Sequence, residues 1–298
     1  MKKALVTGGA GFIGSNLVDR LINMNFEVLV VDNESSDSHE SFYWNEKASN
    51  YKLDIREYSK IRPLFDGVDF VFHLAAESRI QSAIDNPVDA VSTNVLGTCN
   101  ILQAAREANV ERVIYSSTSS AYGLKNTPPM LEDMPSDCLN PYSVSKVCGE
   151  ELCKVYTNLF GLKTIIFRYF NVYGERQPTK GKYATVVGLF LKQRRDGQPM
   201  TIVGDGLQTR DFTYVGDIVD ANIKAICATS GFGEKYNIGC GSEYSILELA
   251  EMIGGDYVFT ESRIGETRNT RADITKAEKK LNWKPKTKLK DWIDRTKT

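Results

Sequence analysis

The sequence predicts an α/β protein built on a doubly wound parallel Rossmann sheet, with a smaller mixed α/β lobe in its C-terminal part. Short β-rich runs alternate with helical patterns through the first 170 residues, and the strand runs are continuously apolar. Such runs are typical of strands buried on both faces of a parallel sheet. A glycine-rich turn also follows the first run. Strand–helix alternation of this kind requires right-handed crossovers, which place helices on both faces.

The predicted elements can be read in order along the chain. Six strand runs come first, KALVTG, EVLVVD, YKLDI, DFVFHLAA, RVIYSSTSS and KTIIFRYFN, with helices from Phe12, around 94–108 and from Tyr142. After about Asn171 the pattern is less regular: a helix around 184–195, a strand MTIVG, a helix VGDIVDANIKAICA, a strand KYNIG, a helix from Ser245, a strand YVFTE and a final helix. Ligands of open α/β sheets bind at the carboxyl ends of the strands, so we expect a site between the sheet and the second lobe.

Composition excludes several classes of function. The formal net charge of -1 gives no reason to expect nucleic acid or an anionic membrane as a partner. No apolar run approaches the length of a membrane span, and glycines interrupt the N-terminal apolar stretch, so we expect a cytoplasmic protein. Six cysteines without a C-x-x-C pair and only two histidines indicate no metal site and no histidine base.

The segment TGGAGFIG has the features of a dinucleotide-binding turn. Gly8, Gly11 and Gly14 follow the first strand and open the first helix. Glycines there allow a tight turn and let the backbone approach a diphosphate at the positive end of the helix. A glycine-rich turn without a ligand is the alternative, but the strand–turn–helix context favours the binding site.

The second strand ends in a residue that indicates which dinucleotide binds. Asp32 stands 21 residues after Gly11, where a carboxylate accepts hydrogen bonds from ribose hydroxyls and repels a 2′-phosphate. No arginine adjoins it, so NAD is favoured over NADP. Asp54 and Ile55, after the third strand, are placed to flank the adenine. The small residues from Leu74 to Ala76 allow close approach of the cofactor, although LAA is also common in protein cores.

Hydroxyl and amine groups at two further positions form a candidate catalytic site. Thr118 lies in the hydroxyl-rich end of the fifth strand, YSSTSSAYG, and NPYSVSK places Tyr142 and Lys146 one helical turn apart. A lysine ammonium at about 4 Å favours the tyrosine phenolate by roughly 4 kcal/mol, or about 3 pK units, at an effective dielectric near 20. Tyr142 is therefore predicted to act as a base near neutral pH. An incidental pair on a surface helix is the alternative.

Together these motifs resemble the extended short-chain dehydrogenases/reductases, closest to nucleotide-sugar 4-epimerases of the UDP-galactose and UDP-N-acetylglucosamine type. The resemblance covers nearly the whole chain and includes GGAGFIG, HLAA, NVLGT, SSTSSAYG, YSVSK, RYFNVYG, TRDFTYVGD and RIGETR. It implies an NAD-binding domain at 1–170, which 213–239 rejoin, and a mainly nucleotide-sugar-binding lobe at 171–298. It also implies a homodimer.

The resemblance assigns roles to individual residues. It implies that Thr118, Tyr142 and Lys146 are catalytic. The NAD site comprises Gly8, Gly11, Phe12, Ile13, Gly14, Asp32, Asn33, Asp54, Ile55, Leu74, Ala75, Ala76, Asn94, Ser116, Tyr142, Lys146 and Phe170. Thr118, Asn171, Arg210, Arg263, Glu266 and Thr270 hold the sugar nucleotide. Guanidinium groups at 210 and 263 suit diphosphate oxygens, although surface ion pairs are the alternative.

The resemblance implies that the protein is an isomerase of carbohydrate metabolism. It performs NAD-dependent 4-epimerisation of a UDP-hexose, UDP-glucose or UDP-galactose, through a 4-keto intermediate. Thr270 is small, and in the resembled family this position lies beside the substituent on carbon 2, so the N-acetylated sugars are predicted substrates too. A 4,6-dehydratase, a UDP-glucuronate epimerase or decarboxylase, and a non-enzymatic NAD sensor are the alternatives. Ser119 and Ser120 disfavour the dehydratase, which carries an Asp-Glu pair there.

Overall fold

A seven-stranded parallel sheet forms the centre of the molecule. The computed structural model describes residues 1–179 and 184–297. The sheet has the order β11-β6-β5-β4-β1-β2-β3. Its strands are β1 (Lys3–Thr7), β2 (Glu27–Asp32), β3 (Ser49–Lys52), β4 (Phe70–His73), β5 (Arg112–Thr118), β6 (Thr164–Tyr169) and β11 (Lys235–Ile238). The remaining strands are short: β7 (Val172–Tyr173), β8 (Met200–Val203), β9 (Thr209–Arg210), β10 (Thr213–Tyr214), β12 (Tyr244–Ser245) and β13 (Tyr257–Thr260).

Helices cover both faces of this sheet and build most of the second lobe. They are α1 (Phe12–Asn23), α2 (Tyr58–Ile61), α3 (Ile80–Asp85), α4 (Pro87–Val91), α5 (Gly97–Glu107), α6 (Pro141–Phe160), α7 (Val186–Arg195), α8 (Val215–Ile226), α9 (Ile246–Ile253), α10 (Thr275–Leu281) and α11 (Leu289–Thr296). A π-helical turn over Ser92–Leu96 joins α4 to α5, and 3₁₀ turns cover Arg62–Phe65 and Ser119–Tyr122. None of the helices within the described ranges is both long and apolar enough to cross a membrane.

Two hydrophobic cores on opposite faces explain the continuously apolar strands. Leu5 and Val71 point to one core, whereas Val6, Phe72 and Ile114 point to the other, all fully buried. Every strand pair of the sheet is parallel. The predicted doubly wound parallel sheet is therefore confirmed. The chain order reverses between β1 and β4, which creates a crevice at their carboxyl ends.

Helix α6 begins at a capping box and ends at a left-handed glycine. The Asn140 side chain accepts a hydrogen bond from the Ser143 amide at 2.8 Å, and the Ser143 hydroxyl completes a capping box. Pro141 occupies the first helical position, and Gly161 ends the helix with φ of 72°. The helix lies very close to β5, because a Cβ on Gly149 would come within 2.2 Å of the Tyr115 hydroxyl oxygen.

A buried ion pair fixes α6 against the sheet. Arg168 on β6 donates from Nε to Glu150 Oε1 at 2.7 Å and from Nη2 to Glu150 Oε2 at 2.6 Å. Ser117 on β5 donates to the same carboxylate at 2.6 Å. Both charged side chains are at most 1% exposed. The pair therefore joins one helix to two strands in the interior.

The second lobe has its own hydrophobic core, formed chiefly by α7, α9, α11 and β8. Tyr173, Phe190, Ile202 and Trp292 are among its buried members. Strand β11 lies outside this lobe and pairs with β6 at the edge of the large sheet. The single final helix of the sequence prediction is wrong: α10 and α11 are separate, because Asn282 adopts a left-handed conformation with φ of 49° and Pro285 follows.

Asp211 connects three loops at the junction of the sheet and the second lobe. Its buried carboxylate accepts hydrogen bonds from the amides of Cys240 at 2.6 Å, Gly241 at 2.9 Å and Ala272 at 3.0 Å. Burial raises the pKa of Asp211 to about 6, while these amides act in the opposite direction. The loop that carries Arg210 is thus held against the ends of β11 and α10.

Replacing Glu150 should test the importance of the buried pair. We expect Glu150→Gln to lower the free energy of unfolding by about 3–5 kcal/mol, because it leaves the Arg168 guanidinium buried without a counter-charge. Glu151→Gln, one residue further along the same helix and exposed, should change it by about 0.5 kcal/mol or less. Urea unfolding measures both, and equal effects of the two substitutions would contradict this account.

Candidate active site

A cavity of about 480 Å³ lies where the crevice of the sheet meets the second lobe. Most of the residues predicted from the sequence line it. They are Gly8, Gly11, Phe12, Ile13, Gly14, Asp32, Asn33, Ile55, Leu74, Ala75, Ala76, Ser116, Thr118, Tyr142, Lys146, Asn171, Arg210, Arg263 and Glu266. Residues from the ends of six sheet strands and from the second lobe therefore meet around one space. Its volume is typical of a pocket for a small organic ligand.

Three residues predicted to contact the cofactor lie behind the cavity wall instead. Asp54 forms an ion pair with Arg56, with 2.6 Å between carboxylate oxygen and Nη2. Asn94 is buried, and its amide holds the backbone of Glu77 through hydrogen bonds of 2.8 and 2.9 Å. Phe170 is fully buried in a small apolar cluster. Each supports a neighbouring segment of the site rather than lining the space itself.

Thr270 also lies away from the cavity. Its side chain is 3% exposed, and its hydroxyl has no hydrogen-bond partner. Its amide donates to the carbonyl of Thr209 at 3.2 Å, which holds the 270 segment beside β9. The position counted from Glu266 in sequence is therefore packed into the protein. A place for Thr270 beside the substituent on carbon 2 therefore stays a prediction.

The glycine-rich turn is shaped so that a ligand can reach the start of α1. A Cβ on Gly14 would lie 2.1 Å from the Gly8 carbonyl oxygen, and a Cβ on Gly8 would lie 2.7 Å from the Ala75 amide. Both glycines are therefore required for the close packing of β1, α1 and the end of β4. Gly11 is the N-cap of α1; no side chain caps this helix, and its first turn contains no acidic residue. The amides there suit an anion such as a diphosphate.

Asp32 lies at the end of β2, beside this turn. Its carboxylate accepts hydrogen bonds from the Ala10 amide at 3.1 Å and the Glu34 amide at 2.8 Å. Burial raises its pKa, and the backbone amides lower it. These bonds fix the carboxylate on the cavity wall, where its remaining lone pairs can accept from ribose hydroxyls. The glycine turn and Asp32 together fit an NAD molecule.

The three predicted catalytic side chains meet in the cavity. Thr118 ends β5, where its hydroxyl accepts a hydrogen bond from the Ser120 amide at 3.1 Å. Tyr142 and Lys146 come from the first two turns of α6. Tyr115 donates from its hydroxyl to the Lys146 carbonyl at 3.2 Å, and Lys146 Nζ lies 4.6 Å from the centre of the same ring. The packing of α6 on β5 therefore sets the position of the lysine.

The electrostatics of Tyr142 differ from the sequence prediction. Burial raises its pKa, and the opposing contributions come from the Thr118 hydroxyl and the Arg79 guanidinium rather than from Lys146. Burial also lowers the pKa of Lys146 to about 7. The helical spacing predicted that the two side chains share a face. It did not predict that desolvation is the largest influence on both of their pKa values.

The predicted substrate residues form a charged cluster at the far end of the cavity. Arg210 Nη2 lies 3.4 Å from Glu266 Oε2, and Arg263 Nη1 lies 4.0 Å from Glu266 Oε1. Arg210 Nη1 also donates to the carbonyls of Thr209 at 2.9 Å and Arg268 at 3.1 Å. The two guanidinium groups are thus held beside each other, as binding of a diphosphate requires.

Several residues of the wall were missed by the sequence analysis. Arg79 and Gln81 follow β4, His39 and Phe42 follow β2, and Gln208 precedes β9. The loops after β2 and β4 leave the carboxyl edge of the sheet, so their positions were a usable signal. Arg79 is the charged member of this group.

Comparisons with known proteins show the family of this chain. Residues 4–239 match the model of the NAD dependent epimerase/dehydratase family. A putative UDP-glucose 4-epimerase of Methanocaldococcus jannaschii is 41% identical over 98% of this chain and 96% of that protein. A UDP-N-acetyl-alpha-D-glucosaminuronate decarboxylase of Bacillus cytotoxicus is 40% identical over 85% of this chain and 79% of that protein.

A solved structure matches along nearly the whole length. The UDP-glucose 4-epimerase of Thermotoga maritima, crystallised with UDP-glucose, superposes with a TM-score of 0.93 at 35% identity, covering 99% of this chain and 97% of that chain. The resemblance to extended short-chain dehydrogenases/reductases is confirmed, and NAD is confirmed as the cofactor of the family. With its parallel sheet, glycine turn and Asp32, this chain belongs to the NAD dependent epimerase/dehydratase family.

Proposed function

We propose that this protein is a UDP-sugar 4-epimerase that interconverts UDP-glucose and UDP-galactose. The observation that carries the proposal is the arrangement of one cavity. At one end of this cavity, beside the carboxyl end of β5, lie Tyr142 as the base and the hydroxyl of Thr118 as its partner. Arg210 and Arg263 lie at the other end of the cavity. No carboxylate follows Thr118, where Ser119 and Ser120 line the wall.

The chain's own residues account for the proton movements of this reaction. Tyr142 accepts the proton of the hydroxyl on carbon 4, and Thr118 holds that hydroxyl or relays its proton. Arg210 and Arg263 bind the diphosphate, so that the 4-keto sugar can turn about it and present its other face. Tyr142 then returns the proton to the oxygen on carbon 4. Starting sugar and product thus differ only in configuration.

The glycine turn, Asp32 and the start of α1 would hold NAD in this reaction. When bound there, NAD would supply reversible hydride chemistry at carbon 4. Lys146 lies one helical turn after Tyr142 and on the same cavity wall, where it would bind the nicotinamide ribose. No cofactor is consumed overall.

Dehydration, another reaction of this family, needs an acidic group that the described part of the cavity wall does not offer. Elimination of water from carbons 5 and 6 needs a carboxyl group to move protons between them. The acidic side chains on the described wall are Asp32 and Glu266. The first belongs to the proposed NAD site, and the second pairs with arginines. A decarboxylase remains the second candidate, because a relative with that name is 40% identical.

The identity of the sugar and of the nucleotide also belongs to the proposal. The similar proteins that are named as UDP-glucose 4-epimerases favour a uridine nucleotide and a hexose without an N-acetyl group as the substrate of this protein. N-acetylated hexoses are also candidate substrates, although the position of Thr270 does not support them. Incubation with UDP-glucose, UDP-galactose, their N-acetylated forms and UDP-glucuronate, followed by NMR of the products, separates these cases.

We also propose that the protein is a homodimer. The outer faces of α4, α6 and the segment between α4 and α5 carry exposed apolar side chains, Val88, Leu96, Val144, Val155 and Leu159. An apolar surface of this kind is typical of interaction sites. Sedimentation velocity of the purified protein tests it, and a monomer at micromolar concentration would contradict it.

Tyr142→Phe should abolish most turnover while leaving NAD binding and stability nearly unchanged, because only the proton acceptor is removed. Loss of a general base typically costs about 100-fold to 10,000-fold in rate. Tyr214→Phe is the matched control: Tyr214 lies outside the cavity wall and donates to Glu175 at 2.8 Å. Steady-state rates with UDP-galactose measure both. Near-normal turnover by the Tyr142 variant would contradict its proposed role.

The pH dependence of turnover should reveal what Thr118 does. Turnover requires ionised Tyr142, so kcat/KM should rise with pH toward the pKa of this side chain. The Thr118 hydroxyl lowers that pKa. Thr118→Val should therefore move the rising limb to higher pH, because the phenolate loses its hydrogen bond. A limb that stays in place would show that Thr118 does not stabilise the phenolate.

Asp32 should determine the choice between NAD and NADP. We expect Asp32→Ser to lower the affinity for NAD and raise that for NADP, because the charge that repels a 2′-phosphate is removed. Titrations with both nucleotides measure the change, and the ratio of the two affinities serves as its own control. An unchanged ratio would show that Asp32 does not face the adenosine ribose.

A further inference from the structure

Arg79 is a cation of the cavity wall that forms no ion pair with any described residue. Its Nε is buried and has no hydrogen-bond partner, and within residues 1–179 and 184–297 no carboxylate lies within 4.0 Å of its guanidinium nitrogens. The other cavity arginines, Arg210 and Arg263, share Glu266. Arg79 therefore differs from them in having a buried Nε–H without a partner.

Such an arrangement is unfavourable unless something else binds the guanidinium. Burial lowers the pKa of Arg79, and the charges of Tyr142, Glu77 and Asp37 only partly oppose this. A buried donor without a partner costs free energy of folding. Its presence in an open cavity, rather than in the core, points to an anion that arrives with a ligand.

The neighbours of Arg79 indicate which ligand anion this is. Arg79 lies close enough to His39 to lower the pKa of that imidazole, which burial first brings down, to about 4. His39 Nε2 is in turn 3.7 Å from the place of a Cβ on Gly11. Gly11 caps α1, where the free amides suit a diphosphate. Arg79 and the start of α1 therefore both border the space beside His39.

We propose that Arg79 binds the diphosphate of NAD, as a second anion-binding group in addition to the N-terminus of α1. A guanidinium group matches phosphate oxygens with two parallel hydrogen bonds, which an amide at a helix end does not provide. Binding the cofactor gives the free Nε–H a partner. The inference rests on the cofactor of the family and not on which sugar reaction the site catalyses.

A carboxylate on the substrate is the other anion that fits an arginine in this cavity, because Tyr142 also neighbours Arg79. The cofactor diphosphate and a sugar carboxylate can be distinguished with suitable ligands. NAD and ADP-ribose carry the cofactor diphosphate, adenosine does not, and UDP-glucuronate carries a sugar carboxylate that UDP-glucose lacks.

Calorimetric titration of the nucleotide-free full-length protein provides the test. For Arg79→Gln we expect NAD and ADP-ribose to bind about tenfold more weakly or worse, since hydrogen bonds between charged groups are at stake. Adenosine should bind as before. Arg79→Lys should restore part of the affinity, because it keeps the charge but loses the fork. Arg263→Gln, a cavity arginine at the substrate end, should leave NAD affinity unchanged.

Thermal unfolding of the same variants separates a ligand-binding role from a structural one. Without nucleotide, Arg79→Gln should unfold at the same temperature as the unchanged protein or higher, because it removes a buried donor without a partner. Addition of NAD should then raise its melting temperature by less than in the unchanged protein. The affinity and the melting temperature are both measured without turnover. They therefore test the role of Arg79 even if the protein has no 4-epimerase activity.

Three results would overturn the proposal. NAD affinity of Arg79→Gln within twofold of that of the unchanged protein would show that the diphosphate does not contact Arg79. A loss confined to UDP-glucuronate would assign the arginine to a sugar carboxylate. A lower melting temperature without nucleotide, with the Arg79→Lys variant binding NAD normally, would show that Arg79 is structural.

Discussion

The close contact between α6 and β5 is the constraint on which the candidate site depends. Gly149 leaves room for the Tyr115 hydroxyl, and the buried pair of Glu150 and Arg168 fixes the same helix to β6. The first turns of α6 are thereby placed beside the end of β5. Tyr142 reaches the Thr118 hydroxyl only because this helix lies so near the strand. A buried ion pair adds less stability than an apolar contact, so its role here is to fix position.

Parallel strands bring the rest of the site to the same edge. The carboxyl ends of β1, β2, β4 and β5 supply the glycine turn, Asp32, the loop that carries Arg79 and the hydroxyl of Thr118. The second lobe closes this edge with Arg210, whose loop is tied down through the neighbouring carboxylate of Asp211. Asp32, the glycine turn and the two arginines Arg210 and Arg263 thus surround one cavity, which suits a dinucleotide and a sugar diphosphate bound together.

Local patterns predicted the fold and much of the site, because they depend on residues near one another in sequence. The glycine turn, Asp32 at the end of a strand, and the one-turn spacing of Tyr142 and Lys146 are of this kind. Positions that depend on tertiary packing were less predictable. Thr270 was placed by counting from Glu266, but it packs beside β9. Arg79 was missed, because a lack of partners is a property of the folded chain. The pKa of Tyr142 depends on desolvation that spacing does not reveal.

The fate of the hydrogen on carbon 4 tests the central claim most directly. UDP-glucose that carries deuterium on carbon 4 can be incubated with the protein and its products analysed by NMR. The account predicts UDP-galactose with deuterium still on carbon 4 and no exchange with water, since the same hydride returns to the same carbon. Deuterium on carbon 6 of a 4-keto-6-deoxy sugar, loss of the label to water, or no conversion of any UDP-hexose would contradict it.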